Sequence, residues 1–466
     1  MLAILLEYMP IIISFFGALT CLVLDFKKIG SKILLIGILG FNVLIAIVQG
    51  MFSIESSNPN LSMSLAKSFL IILVLVNVML ILASSKGDFK DQNVERFFHV
   101  LSFLFTGSLL CFFYADNLLV MAAGFLMSGI FLSTLKFIFP DINKMILNLL
   151  ITVYVTGFII LSISILVISQ LSEAENLFLS TINISTIPSI AIIFLYIGLI
   201  CMIGAFPLGL ALYYSLYARS HVSVKIYNIL LVTTLYWKFL ELYFIFSLDQ
   251  VIFSIINFAL GFCSIIAGLI IILREMLTIT EKRADIIVAG IIMIDAGTLL
   301  SALGVLGEII AKGYTQESIE TVNSIIIVQL IIFLITKALL IFSIKNLKKI
   351  FRSNYIQDMG GLKISKPITL IGFISGFIGT IYLSIFSIDK LFTIAFTGPQ
   401  SISGGILFLL IIIIFMVLSV IAAILIARIF GGKELPISIQ NMPDRDIRRE
   451  NAAMIILFSG YVILLI

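Results

Sequence analysis

The chain has 466 residues, 61% of them hydrophobic and only 12% charged, with a mean hydropathy of +1.23. A soluble domain is about 45–50% apolar, so this composition excludes one and marks an integral membrane protein. The net charge of +4 is small and spread along the chain, so no nucleic-acid partner is implied.

The apolar residues recur in long runs broken by short polar loops. They show no ten-residue alternation, so the spans are helices and not barrel strands. With about 20 apolar residues needed per span, fourteen helices are expected at about 4–24, 33–51, 65–84, 97–114, 117–139, 145–169, 189–216, 225–247, 251–273, 286–306, 323–344, 367–388, 402–427 and 451–466. The first run lacks a basic n-region and a small-residue cleavage site, and reads as a retained span. Cys21, Cys111, Cys201 and Cys263 stand alone in apolar runs and suggest neither a disulfide framework nor a metal cluster.

Several spans carry residues that a membrane tolerates only for a reason. Helix 7 contains "CMIGAFPLGLALYY", in which Pro207 lies between Gly204 and Gly209. Proline removes a backbone donor, and either a simple kink or a broken helix around a midplane site fits. Helix 8 carries Lys238 with Glu241 three residues on, a spacing that places both on one side. The pair is read either as a neutralising structural bridge or as a proton-exchanging group with its tuning partner.

Asp295 lies about ten residues into helix 10. Lys337, in "FLITKALLIFSIKNLKKIF", lies about eight residues from the expected end of helix 11, roughly 12 Å at 1.5 Å per residue. That is near the limit of snorkelling. A lysine at mid-span costs roughly 2.5–3.5 kcal/mol, so a relay role is the competing reading. Lys345, Lys348 and Lys349 read as the wet end of the same helix. Lys390, at the expected outer end of helix 12, reads from position as an interfacial anchor.

The distribution of basic residues orients the chain. All but five lie in the loops that follow odd-numbered helices, among them Lys27, Lys28, Arg219, Arg283, Arg352 and Arg445. By the positive-inside rule these loops face the cytoplasm and both termini face outward. The five exceptions are Lys67 and Lys312, at or beyond span edges, and Lys238, Lys337 and Lys390. No phosphate-binding loop, HExxH or dinucleotide fingerprint is present, so redox chemistry by this chain is unsupported.

At this point the sequence resembles a family: the antiporter-like subunits shared by respiratory complex I (NADH-quinone oxidoreductase) and the Mrp-type multisubunit cation/proton antiporters, in character the D-type subunit. "TKALLIF" (336–342) followed by "MGGLKISKPIT" (359–369) is similar to the family's "FKALLF" and later "GGL…P" signatures. "YADNLLVMAAGFLMSG" (114–129) is similar to its fifth helix, and residues 204–243, including Val222 and Ser223, to its seventh and eighth. The tail from Met442 looks like its last loop and helix.

The resemblance implies two inverted five-helix repeats, residues 97–247 and 251–428, with helices 7 and 12 broken. Residues 1–96 would form the N-terminal helices, and 429–466 a basic loop with helix 14, all within one transmembrane domain. It also implies a row of buried ionisable groups carrying protons. In that row Lys238 matches the eighth-helix lysine, Lys337 the lysine of "FKALLF", and Lys390 the lysine after the twelfth-helix break, which moves it from the interface toward mid-membrane. The sequence departs from the family where its fifth-helix glutamate falls on Phe125, its seventh-helix lysine on Met202 and a histidine on Phe333. The twelfth-helix prolines are missing, and Gly376 and Gly379 are left to loosen that helix.

The expectation is therefore a proton-translocating subunit, with Na⁺/H⁺ or K⁺/H⁺ exchange as variants. It would work with other membrane subunits in a bacterial inner membrane through Lys238, Glu241, Asp295, Lys337 and Lys390. No catalytic residue, cofactor or metal is called for; any enzyme role is that of the proton-pumping membrane subunit of an NADH-quinone oxidoreductase. The alternatives are an accessory subunit that has lost its first half-channel, a stand-alone transporter of a small solute built on the helix 7 break, and a non-transporting scaffold.

Overall fold

The computed structural model describes residues 2–24, 29–55, 61–85, 89, 91–138, 144–171, 177–179, 187–203, 221–245, 250–277, 283–312, 316–353, 355–362, 366–377, 379, 402–431 and 448–465. Among these residues the chain forms fourteen α-helices. They are α1 Leu2–Val23, α2 Ile29–Glu55, α3 Leu61–Ser84, α4 Gln92–Tyr114, α5 Leu118–Phe137, α6 Lys144–Leu171, α7 Ser189–Ile203, α8 Val222–Ile245, α9 Gln250–Leu277, α10 Ala284–Ala311, α11 Gln316–Phe351, α12 Pro367–Phe377, α13 Ile402–Phe430 and α14 Arg448–Leu465. Nine of them are long and apolar enough to cross a membrane. The fold is all-α and polytopic, and each expected span overlaps a helix among the described residues. Gly204, Pro207, Gly209 and Lys390, with the proposed breaks of helices 7 and 12, lie outside the described residues.

The helices cluster into two compact units, Met1–Met202 with Ser223–Phe246, and Ile203–Val222 with Ser247–Ile466. In the first unit α4 is central, packing against α1 and α5, while α2 lies on α1 and α3. Asp91 caps α4 by accepting a hydrogen bond from the Asn93 amide at 2.9 Å. An ion pair between Lys32 and Glu95 ties α2 to α4. Apolar side chains gain little from leaving lipid, so packing between membrane helices relies on small residues that let backbones approach. Gly124 of α5 accordingly sits against the backbone of Phe112 in α4, and Gly198 of α7 against the Gly157 carbonyl in α6.

The second unit carries this further. The seam between α9 and α10 sets Gly261 against Gly297 and Ser301, Gly268 against Gly290, and Gly304 against Ser254 and Phe258. A Cβ on Gly297 would lie 2.7 Å from the Gly261 carbonyl oxygen and 2.9 Å from the Ile265 amide nitrogen. With α9 this close on one side and α11 on the other, nearly every residue of α10 is buried. Gly376 does not loosen α12 as expected: α12 is regular helix there, and the missing side chain lets its backbone approach that of Leu340 in α11.

The lysine ladder at the end of α11 is also not merely wet. Lys348 pairs with Asp285 in the first turn of α10. Glu450, in the first turn of α14, accepts from Lys349 at 2.7 Å and Lys345 at 3.0 Å and is itself 1% exposed. Asn346 donates to Asn451 at 2.8 Å beside it. These contacts seat α14, whose apolar run alone is short. The "MGGL" signature has a local explanation: Gly361 adopts φ 67°, a conformation only glycine takes freely. Its amide and that of Leu362 then donate to the Gly431 and Ile429 carbonyls at the end of α13.

Two tests follow from this packing. Gly297→Val overpacks the α9–α10 seam and should cost about 1–3 kcal/mol, read as a lowered melting temperature in detergent. The Glu450 carboxyl is pushed up by burial, but Lys345 and Lys349 more than offset this and hold it below its ordinary 4.5. Its contribution to stability is therefore full above that ordinary value and lost as pH falls through the lowered value of the folded state. Glu450→Gln should lower the melting temperature at pH 7 and flatten its acid dependence.

Candidate ion-relay site

Besides the ion pairs at the end of α11, two clusters of buried charge emerge among the described residues, one in each unit. In the second, Lys337 Nζ lies 2.5 Å from Asp295 Oδ2, and the side chains are 0% and 4% exposed. Asp295 is about eleven residues after the start of α10 and sixteen before its end, hence near mid-helix. The expected distance of Lys337 from a helix end is corrected, because α11 runs on to Phe351. The lysine is then roughly 21 Å from the nearer end at 1.5 Å per residue, beyond the reach of its side chain. Snorkelling is thereby replaced by pairing across the α10–α11 interface. Phe333, one turn before Lys337, is fully buried in the core.

Two ions taken out of water each lose several kcal/mol of solvation, recovered only through close pairing. The pair has a second arrangement open to it. Transfer of the proton from Nζ to the carboxylate leaves an amine and a carboxylic acid, with no change in net charge. A buried Lys–Asp pair can thus hold a proton on either partner, which a lone lysine in apolar surroundings cannot.

In the first unit Lys238 and Glu241 of α8 pair at 2.8 Å, as their spacing predicts. Lys67 of α3 reaches the other carboxylate oxygen at 3.1 Å, and the Trp237 indole donates to that same oxygen at 2.9 Å. Lys67 sits at the edge of its apolar span, Leu65–Ser84, as expected, but its contact with Glu241 joins α3 to α8 and no local spacing in the sequence signals it. Lys238 also donates to the carbonyls of Ala115 at 2.6 Å and Phe113 at 3.4 Å, at the C-terminal end of α4. These carbonyls have no amide a turn further on to accept from. The ring of Phe113 stacks on Trp237, with centroids 5.8 Å apart and planes 9° from parallel. Lys67 lies 5.9 Å from the Phe113 centroid and 5.6 Å from that of Tyr114.

This cluster lies toward the helix ends: Lys238 is about seven residues before the end of α8. Phe125, where the resemblance expects a glutamate, is fully buried with its ring 6.0 Å from Phe112, so that position is filled by aromatic packing. Met202 lies in α7. The structure thus brings together Lys238 with Glu241 and Asp295 with Lys337, in separate units.

No protein-family model and no curated protein matches the sequence. Solved structures do. A chain of the membrane-bound sulfane sulfur reductase, an archaeal respiratory membrane complex, superimposes with a TM-score of 0.73 at 13% identity over 100% of both chains. A chain of the Mrp complex from Dietzia sp. gives 0.75 at 13% identity, over 98% of this chain and 96% of that one. A chain of respiratory complex I from Thermus thermophilus gives 0.68 at 12% identity, over 97% and 96%. At such identities the likeness is one of fold: end to end, this chain folds as do membrane chains of those three assemblies.

Proposed function

We propose that the protein is a proton-translocating subunit of a larger membrane complex, with Na⁺ or K⁺ exchange as its variant. The observation that carries this reading is the Asp295–Lys337 pair, closed off at mid-helix between two enclosed helices. A structural role alone is poorly served by such a pair, since well-packed apolar residues of similar volume often stabilise as much or more. Ionisable groups in membrane helices instead mark ion and proton paths. The end-to-end likeness to chains of two respiratory complexes and an Mrp complex supports the same reading and supports partner subunits.

Protons would pass to and from the pair by the transfer described above, with Lys238 and Glu241, and Lys390, as further members of the relay. The packed Phe125 supports a narrower version, in which the first unit lacks its own mid-helix exchange pair and the second unit carries the stroke.

The pair makes separable predictions for stability and transport. Lys337→Met strands a buried carboxylate and should cost about 3–5 kcal/mol. The double variant Asp295→Asn/Lys337→Met, which removes both charges, should recover most of that loss in a thermal melt. Transport should not recover: vesicles containing the assembled complex should show at least a tenfold drop in proton flux for the double variant. Flux equal to wild type in a folded double variant would remove the pair from the path and favour the scaffold reading.

A further inference from the structure

Small and bulky residues are divided between the two faces of α9. Gly261 and Gly268 are pressed against α10, so the small residues through which membrane helices pack closely are used on that side. The other face presents Cys263, Ile266, Ile270, Leu273 and Leu277, all exposed, as one stripe along the helix. A stripe of bulky apolar side chains without glycine suits acyl chains better than another helix. From Cys263 to Arg274 the helix rises roughly 16 Å at 1.5 Å per residue, close to half of a hydrocarbon core about 30 Å thick. That is the depth of one leaflet.

The stripe ends in a charge. Arg274, in the last turn of α9, is exposed, and its guanidinium donates to no carboxylate or carbonyl among the described residues. The helix dipole favours a cation at this position but supplies no acceptor for the N–H groups of the guanidinium. Ile270, Leu273, Arg274 and Leu277 line an open cavity of about 500 Å³, apolar along the helix and cationic on one side. Its chemistry is that of a chain joined to an anion.

We infer that this end of α9 is a binding site for one anionic phospholipid, with its phosphate on the Arg274 guanidinium and an acyl chain along Leu273, Ile270 and Ile266. A planar guanidinium meets a phosphate through two parallel hydrogen bonds. At the edge of the hydrocarbon a lipid with one net negative charge leaves the contact neutral, whereas a zwitterionic lipid leaves one positive charge over. The opposite face of the same helix forms the glycine seam with α10, the helix that carries Asp295. A bound lipid therefore braces that seam from outside. The site is independent of the transport reading.

The full-length protein in neutral detergent is titrated with phosphatidylglycerol, phosphatidylcholine or inorganic phosphate, and bound molecules are counted by native mass spectrometry. Phosphatidylglycerol should bind in preference to phosphatidylcholine, and inorganic phosphate, which lacks acyl chains, should not be retained. Arg274→Gln should weaken phosphatidylglycerol binding roughly fivefold, and Arg274→Lys, which keeps the charge without the fork, by less. Neither variant should change the melting temperature of the lipid-free protein, because the side chain is exposed and unpaired. Equal phosphatidylglycerol affinity in wild type and Arg274→Gln overturns the inference, as does equal affinity of wild type for the two lipids. A photoreactive p-benzoylphenylalanine in place of Ile270, irradiated in the native membrane, should acquire a phospholipid adduct. A polypeptide adduct instead assigns the face to a partner subunit and overturns the lipid site.

Discussion

A charge surrounded by hydrocarbon must find an opposite charge or a set of dipoles, and this constraint organises the protein's interior. Asp295 and Lys337, both buried, meet as a close ion pair. Lys238 satisfies the same requirement differently, taking one carboxylate oxygen and two carbonyls at the end of α4. At the end of α11 the demand is milder, and Lys345, Lys348 and Lys349 still bind Glu450 and Asp285. Lys238–Glu241 lies within one helix, but Lys67–Glu241, Asp295–Lys337, Lys348–Asp285 and the contacts of Glu450 cross from one helix to another, so these charges also fix which helices are neighbours.

Close backbone packing makes these contacts possible. Dispersion between apolar side chains is nearly as good against lipid as against protein, so specificity comes from surfaces that fit without side chains in between. The Gly261–Gly297 and Gly268–Gly290 contacts draw α9 onto α10 and turn the opposite side of α10 toward α11. That arrangement seals Asp295 from solvent. Packing and chemistry are linked here, because loosening the seam would admit water to the pair and change its proton affinity.

The two clusters differ in their charge balance and enclosure. The second unit holds a balanced, fully enclosed pair, suited to moving a proton between partners. The first holds two lysines to one carboxylate near helix ends, with the surplus positive charge met by peptide dipoles. Phe125, packed on Phe112, fills the position where the resemblance expects a glutamate.

Much of this was legible in the sequence because it depends on local chemistry. Apolar run length sets helix number, and all fourteen helices follow from it. A spacing of three residues on one helix places Lys238 beside Glu241 regardless of context. What the sequence could not decide is which residues meet across helices. Asp295 and Lys337 are named by their cost in a membrane, but nothing local says that they face each other. Lys67 is an edge residue of its span, and nothing local says that it reaches Glu241 of another helix. On a helix as uniformly apolar as α13 no periodicity marks the packed side, yet Leu407, Leu410, Ile411, Ile414 and Leu418 are buried while Leu409, Ile413 and Met416 are exposed. Composition and spacing fixed the helices and their charged residues, since both act within a turn or two. Partners, depth and the sealed environment of the Asp295–Lys337 pair came only with tertiary packing, which is set by glycine contacts far apart in the chain.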